Sequence, residues 1–177
     1  MSENGQSKKK FRHIAVAGIF FQGGAAALDT STIIATLVHG LTGSALAVGA
    51  AAAIARYGWL FPQIFVAYLA QRRVRRMGFY KVGAFGRAGC LAALAVLLAM
   101  AGALPPGLLV ALFFVLWTAY AFIGGIVAVP YNDIVARAIP SGRRSRMLAI
   151  RFFGGGILAL AIARSEEHTS ELQSHLN

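Results

Sequence analysis

Apolar residues run through this chain in five long blocks, at positions 14–38, 45–70, 82–104, 108–130 and 147–163, with polar or basic segments between them. A helix needs about 20 apolar residues to cross a bilayer, and the first four blocks reach that length. They predict four complete transmembrane helices and a shorter fifth. Strands of a membrane barrel would show segments of about 10 residues with alternating polarity, and these blocks do not alternate. The fold class predicted is all-α, a polytopic transmembrane helical bundle over residues 14–163. Short connections predict that consecutive helices pack as antiparallel neighbours.

The polar segments alternate in kind. Residues 1–13 form a basic leader with Lys8, Lys9, Lys10 and Arg12, whereas residues 39–44 hold no Lys or Arg. After block two come Arg72, Arg73, Arg75 and Arg76, and Lys81 closes that segment. Pro105, Pro106 and Gly107 make a break without basic residues, and the segment after block four holds Arg137, Arg143, Arg144 and Arg146. Lipid cannot solvate four guanidinium groups, so the chain must leave the membrane at the arginine cluster. Basic segments stay on the cytoplasmic side, which puts the N-terminus in the cytoplasm of a multi-pass protein. A competing reading makes block one a secretory signal cleaved near Ala25, Ala26 and Ala27. The apolar run continues past that point through Ile33, Ile34 and Leu37, which argues against it.

Composition agrees with a membrane class. The chain is 58% hydrophobic and 13% charged, with a mean hydropathy of +0.66; a soluble domain has about 25% charged residues. A net charge of +11 raises nucleic acid as a partner. That partner needs a basic face on a soluble fold, and here the charges sit mostly at the ends of apolar blocks. Nucleic acid is therefore excluded, and the partner expected is membrane lipid. The single cysteine, Cys90, excludes an intramolecular disulfide and a CxxC metal site; it reads as a small packing residue. No HExxH, GxSxG or paired-carboxylate arrangement stands in the blocks, and His13 and His39 are isolated boundary residues. Neither an enzyme, a metal site nor a cofactor is expected.

From Arg164 the character changes abruptly. Residues 164–177 are polar and acidic, and they interrupt an apolar block in mid-span. The run from Arg164 to His175 resembles the in-frame translation of a common sequencing-library adapter. It is excluded from fold reasoning as a foreign segment; the competing reading is a short polar cytoplasmic tail. The segment holds Arg164 against Glu166, Glu167 and Glu171, a net of −2, so the remainder carries +13 in place of +11. Its only acids are Glu3, Asp29 and Asp133.

Charged residues inside apolar blocks carry the candidate chemistry. Asp29 lies about ten residues from the outer end of block one and Arg56 about eleven from that of block two, which at 1.5 Å per residue is roughly 15 Å in. A charge at the bilayer centre costs about 2.5–3.5 kcal/mol on insertion scales and usually lines a polar path or pairs with another. Asp29 and Arg56 are therefore candidates for a substrate or proton pathway, with a structural ion pair as the alternative. Gln22, Trp117, Thr118 and Tyr120 also lie within the blocks; Gln22 and Tyr120 are candidates to hydrogen-bond a solute, against the plainer role of interhelical contact. Asp133, just after Pro130, falls on the same side as the arginine cluster and is a candidate partner for Arg72 or Arg76. Glycines within the blocks, including Gly83, Gly86 and Gly89 at three-residue spacing, predict close helix packing.

Two basic inner segments, two minimal outer ones and an interrupted fifth block resemble the N-terminal half of a major facilitator superfamily transporter. The stretch carrying the resemblance is Ala67-Tyr68-Leu69-Ala70-Gln71-Arg72-Arg73-Val74-Arg75-Arg76, against the family pattern G-x-x-x-D-[RK]-x-G-[RK]-[RK]. Arg72, Arg75 and Arg76 match, while the two glycines are Ala67 and Val74 and the acid is Gln71. A second likeness, to the segment between spans four and five of bacterial members, runs from Pro130-Tyr131-Asn132-Asp133 through Ile139-Pro140 to Arg143-Arg144-Ser145-Arg146. The resemblance covers residues 1–163. It implies a twelve-span secondary transporter of the bacterial inner membrane, moving a small solute by alternating access, of which this chain is a fragment lacking the C-terminal half. It also implies that Arg72, Arg75, Arg76 and Asp133 form a cytoplasmic gating loop. By itself the fragment is expected to be inactive and prone to aggregate. The alternative class is a small multispan membrane scaffold or subunit with no transport activity.

Overall fold

A computed structural model describes residues 3–26, 28–29, 31–70 and 76–176, and all its regular elements are helices. They are α1 (Glu3–Ala26), α2 (Ile33–Thr42), α3 (Ala45–Ala70), α4 (Arg76–Ala99), α5 (Pro106–Ala138) and α6 (Ser141–Leu176), with a 3-10 turn at Ala101–Ala103 between α4 and α5. Three stretches are long and apolar enough to cross a membrane: Ala45–Val66, Tyr80–Ala99 and Pro106–Ala138. Much of their apolar surface faces outward, with Leu46 84% and Phe85 78% exposed. Water would penalise that surface by about 25 cal/mol per Å², whereas lipid tails would not. The chain divides into two compact units, residues 1–29 with 135–177, and residues 30–134.

In the first unit α1 packs along α6. Glycines make the approach possible. The stem of Arg151 lies on Gly18, Leu158 on Gly23, Ile19 on Gly154 and Gln22 on Gly155. Residue numbers rise together along both helices, so α1 and α6 run parallel.

In the second unit α5 is the hub: 33% of its apolar window is buried, against 17% for each of the other two spans. It packs against α3 where Gly58 meets Ala121 and Phe122, and where Gly125 meets the backbone of Trp59. These pairs also rise together, so α3 and α5 are parallel. Against α4 the order reverses: Gly83 meets Val127, Gly86 meets Ile123, and Tyr80 stacks on Tyr131 at 6.1 Å between ring centroids. Helices α4 and α5 are antiparallel. Gly89 has open space where a Cβ would go, and so it leaves the face that Gly83 and Gly86 share. A three-residue step falls about 60° short of a full turn, and two such steps carry Gly89 round the helix.

The short hairpin from α2 to α3 is built by local hydrogen bonding. Gly43, at φ 63°, closes α2 and donates its N–H to the His39 carbonyl at 2.7 Å. That left-handed position suits glycine at a helix end. The Thr42 hydroxyl donates to the Val38 carbonyl at 2.7 Å, and Ser44 Oγ accepts from the Ala47 N–H at 3.4 Å, starting α3.

Several predicted boundaries move. Block one is not one helix: α1 stops at Ala26 and α2 starts at Ile33. The intervening sequence includes Asp29, Ser31 and Thr32, whose side chains compete for backbone groups and disfavour helix interiors. The basic leader is helical from Glu3, and α4 begins at Arg76, ahead of the block predicted from position 82. Pro130 does not end the fourth helix, which continues through Asp133 to Ala138. Proline is tolerated inside membrane helices, and α3 carries another, Pro62. With 33 residues, α5 is roughly 50 Å long, more than a hydrocarbon core of about 30 Å, so its polar end can project beyond the apolar layer. α6 begins at Ser141 and stays helical to Leu176, through the segment predicted to interrupt it.

The elbow between α5 and α6 is pinned by one side chain. Arg144 Nε donates to the Ile139 carbonyl at 3.0 Å, and its Nη2 to the Ala136 carbonyl at 2.5 Å. The last carbonyls of a helix lack intrahelical partners and attract cations. Arg144→Ala is expected to cost about 1 kcal/mol and to speed amide exchange across residues 136–140; unchanged exchange would show that the elbow does not depend on this pin.

Candidate functional site

The chemistry converges on the face that α4 and α5 share. Phe113, Trp117 and Tyr120 stand at spacings of four and three on α5, which places them on one side of the helix. Their rings form a ladder: Phe113 to Trp117 is 6.2 Å with 12° between planes, and Trp117 to Tyr120 is 5.4 Å with 18°. Phe113 and Trp117 are fully buried and Tyr120 nearly so. Trp117 Nε1 donates to the Ala51 carbonyl of α3 at 3.0 Å, which fixes the middle rung.

Arg87 reaches the end of this ladder from α4. Its Nη2 donates to the Tyr120 hydroxyl oxygen, and its guanidinium carbon lies 4.6 Å from the Tyr120 ring centroid. Arg87 is the eighth of the 20 residues of the apolar stretch Tyr80–Ala99, so a positive charge stands inside a membrane-length helix. The cation sits over an aromatic face, an arrangement worth about 0.5–2 kcal/mol depending on desolvation. The hydroxyl accepts from the arginine, so its own hydrogen is directed elsewhere. The pair thus sets a cation, an aromatic face and a hydroxyl together at one place.

Of the predicted site residues, Tyr120 is the one brought into this cluster. Arg56 is mid-span on α3 as predicted, but exposed. It stands at the level of Tyr120, because Gly58 lies opposite Ala121. Two residues before Gly58 it points about 200° away from the α5 contact. Asp29 is exposed in the break between α1 and α2, so a depth counted along a continuous helix does not apply to it. It belongs to the first unit and Arg56 to the second. Gln22 packs on Gly155 of α6. The Thr118 hydroxyl donates to the Phe114 carbonyl of its own helix at 2.7 Å, a structural role. Asp133 is half-buried near the C-terminal end of α5. Arg72 and Arg75 lie outside the described residues, and Arg76 opens α4.

Sequence reasoning passed over Arg87, and also Arg151 of α6, whose guanidinium carbon lies 5.1 Å from the Phe21 ring centroid and 5.7 Å from that of Phe152. Both stand inside apolar blocks, and a plain count of basic residues within the blocks would have found them beside Arg56. No protein-family model, curated protein or solved structure matches the chain.

Proposed function

We propose that the chain is the N-terminal part of a secondary transporter of the major facilitator type, which moves a small solute along a path between its helices by alternating access. The observation that carries this reading is Arg87, held within the apolar stretch of α4 by Tyr120. An arginine at that depth costs about 2.5–3.5 kcal/mol on insertion scales and marks a solute or ion path more often than a purely structural feature. The helix directions give further support: α1 with α6 and α3 with α5 are parallel, and α4 with α5 antiparallel, as alternating crossings require. In this reading the N-terminus and the arginine cluster face the cytoplasm of a bacterial cell, and transport draws on a gradient or on facilitated diffusion.

Sequencing the gene beyond codon 163 in its source genome tests the reading. The reading frame is expected to continue into enough spans for a total of twelve. A stop codon within a few residues would sink the proposal and leave the small scaffold or subunit in its place. In the longer protein, uptake by Asp29→Asn and Arg56→Leu decides whether those two residues line the path; wild-type rates in both would remove them from it.

A further inference from the structure

We infer that one edge of the α1–α6 pair binds an anionic phospholipid, with its headgroup on Arg12, Arg143 and Arg146 and an acyl chain along the apolar side chains beside them. The inference goes beyond the transporter reading and does not depend on it. Every group involved lies in the first unit, and the site needs only a bilayer around it.

Register and helix phase bring the three cations to one edge. Gly18 meets Arg151 and Gly23 meets Leu158 along the parallel pair. Carried back toward the N-terminal ends, that register sets Arg12 level with Arg146, with Arg143 about one turn beyond. At 3.6 residues per turn, Arg12 falls about 50° to one side of the α1 contact line. Arg143 and Arg146 fall roughly 65° and 125° from the α6 contact line, in the opposite sense. Opposite senses on two parallel helices that face each other give the same edge. All three side chains are exposed. Between Ile134 and Ala163 there is no Asp or Glu, and α1 holds only Glu3.

The placement of the α6 arginines favours an anion. Arg143, Arg144 and Arg146 stand in the first two turns of α6, where the helix dipole is positive and cations are disfavoured. Arg144 is engaged by the carbonyls of Ile139 and Ala136. A phosphate diester on Arg143 and Arg146 would accept charge-assisted hydrogen bonds and offset the repulsion. The same edge then continues as apolar surface. Val16 and Phe20 on α1 and Phe153 and Ile157 on α6 share it by the same phase. All four are exposed, Phe20 by 66% and Phe153 by 75%. Cations and apolar surface in series select a ligand that has both a phosphate and acyl chains. A free phosphate would leave the apolar part of the edge unused. Each basic residue near an anionic membrane surface strengthens the attraction about fivefold.

Native mass spectrometry of the purified chain, released from dodecyl maltoside micelles, tests the site with three probes. Dioleoylphosphatidylglycerol has charge and chains, dioleoylphosphatidylcholine has the same chains without net charge, and glycerol 3-phosphate has the phosphate without chains. Phosphatidylglycerol is expected to bind at least tenfold more tightly than phosphatidylcholine, and glycerol 3-phosphate not to bind over the same concentrations. Arg12→Gln, Arg143→Gln and Arg146→Gln should each weaken phosphatidylglycerol threefold to fivefold and leave phosphatidylcholine unchanged. Lys81→Gln, on α4 in the other unit, removes one charge elsewhere and should leave the preference intact. Circular dichroism confirms that each variant is folded; should one not fold, the wild-type comparison and the remaining variants carry the decision. Equal binding of the two lipids, glycerol 3-phosphate binding as tightly as phosphatidylglycerol, or an equal loss in Lys81→Gln would overturn the inference. None of these results bears on the gene beyond codon 163, so this inference and the transporter reading fail separately.

Discussion

Gly125→Ala is expected to destabilise the second unit by about 1–3 kcal/mol, although alanine is the better helix former. Replacing an interior helical glycine with alanine ordinarily gains about 1 kcal/mol. At Gly125 the new methyl would enter the space of the Trp59 carbonyl oxygen, with the Trp59 carbonyl carbon at 3.0 Å and the Gly58 carbonyl oxygen at 3.2 Å. Overpacking costs about 1–3 kcal/mol when side chains can shift. Here the obstacle is backbone, so α3 and α5 must separate. In lipid that separation is costly because close dispersion contact is what holds the helices together. The C–H of Gly125 that the methyl replaces faces the Trp59 carbonyl, a weak contact that recurs at helix interfaces. Gly124→Ala is the matched control: its methyl would lie 3.8 Å from Trp59 Cδ1, an ordinary contact. Gly89→Ala meets nothing within 4 Å and is expected to stabilise. Unfolding by sodium dodecyl sulfate in dodecyl maltoside micelles, followed by circular dichroism, ranks the three. If Gly125→Ala proves as stable as Gly89→Ala, α3 and α5 do not approach as described.

What the sequence discloses about this fold follows from what periodicity measures. Block length and the bilayer together set where long apolar helices stand, and the block predicted over 45–70 coincides with α3. Helix ends are less legible, because a helix need not stop where the bilayer does. α5 runs on through Asp133 and Arg137, and α4 starts at Arg76, since polar residues continue a helix in water as readily as they would begin a loop. The break in block one was legible in principle: Asp29, Ser31 and Thr32 are poor interior helix residues, but a hydropathy pattern weighs the flanking alanines and isoleucines more heavily. Packing between non-consecutive helices left no mark in the pattern. The parallel pairs α1–α6 and α3–α5 depend on which glycines face which neighbour, and the choice of Gly125 over Gly89 is made by helix phase. For the site, Tyr120 was within reach of sequence reasoning because a polar group inside an apolar block stands out. Its partner Arg87 satisfies the same criterion, but pairing the two requires the antiparallel register of α4 on α5.

Trp117→Ala is expected to cost about 2–3 kcal/mol and to disorganise the Arg87–Tyr120 pair, whereas Trp117→Phe should cost less than half as much. In an aqueous core, truncating a buried tryptophan to alanine costs about 3–5 kcal/mol, which combines lost transfer energy with a cavity. Lipid tails are as apolar as the core, so separated helices in a bilayer already escape water and the transfer share shrinks. What remains is the unfilled volume beside Phe113 and Tyr120, plus the hydrogen bond from Nε1 to the Ala51 carbonyl, which at membrane values adds about 0.6 kcal/mol. Phenylalanine restores most of the ring and forfeits that hydrogen bond, so the difference between the variants separates packing from polarity. The consequence reaches the site because the ladder is continuous. With Trp117 removed, the Tyr120 ring loses the face it stacks on at 5.4 Å, and Arg87 loses the fixed aromatic surface that holds its guanidinium. The Arg87–Tyr120 contact should therefore loosen in Trp117→Ala and hold in Trp117→Phe, in parallel with stability in the same micelles. If Trp117→Ala lowers stability while amide exchange around Arg87 and Tyr120 stays at the wild-type rate, the ladder supports the fold alone and Arg87 is positioned by α4.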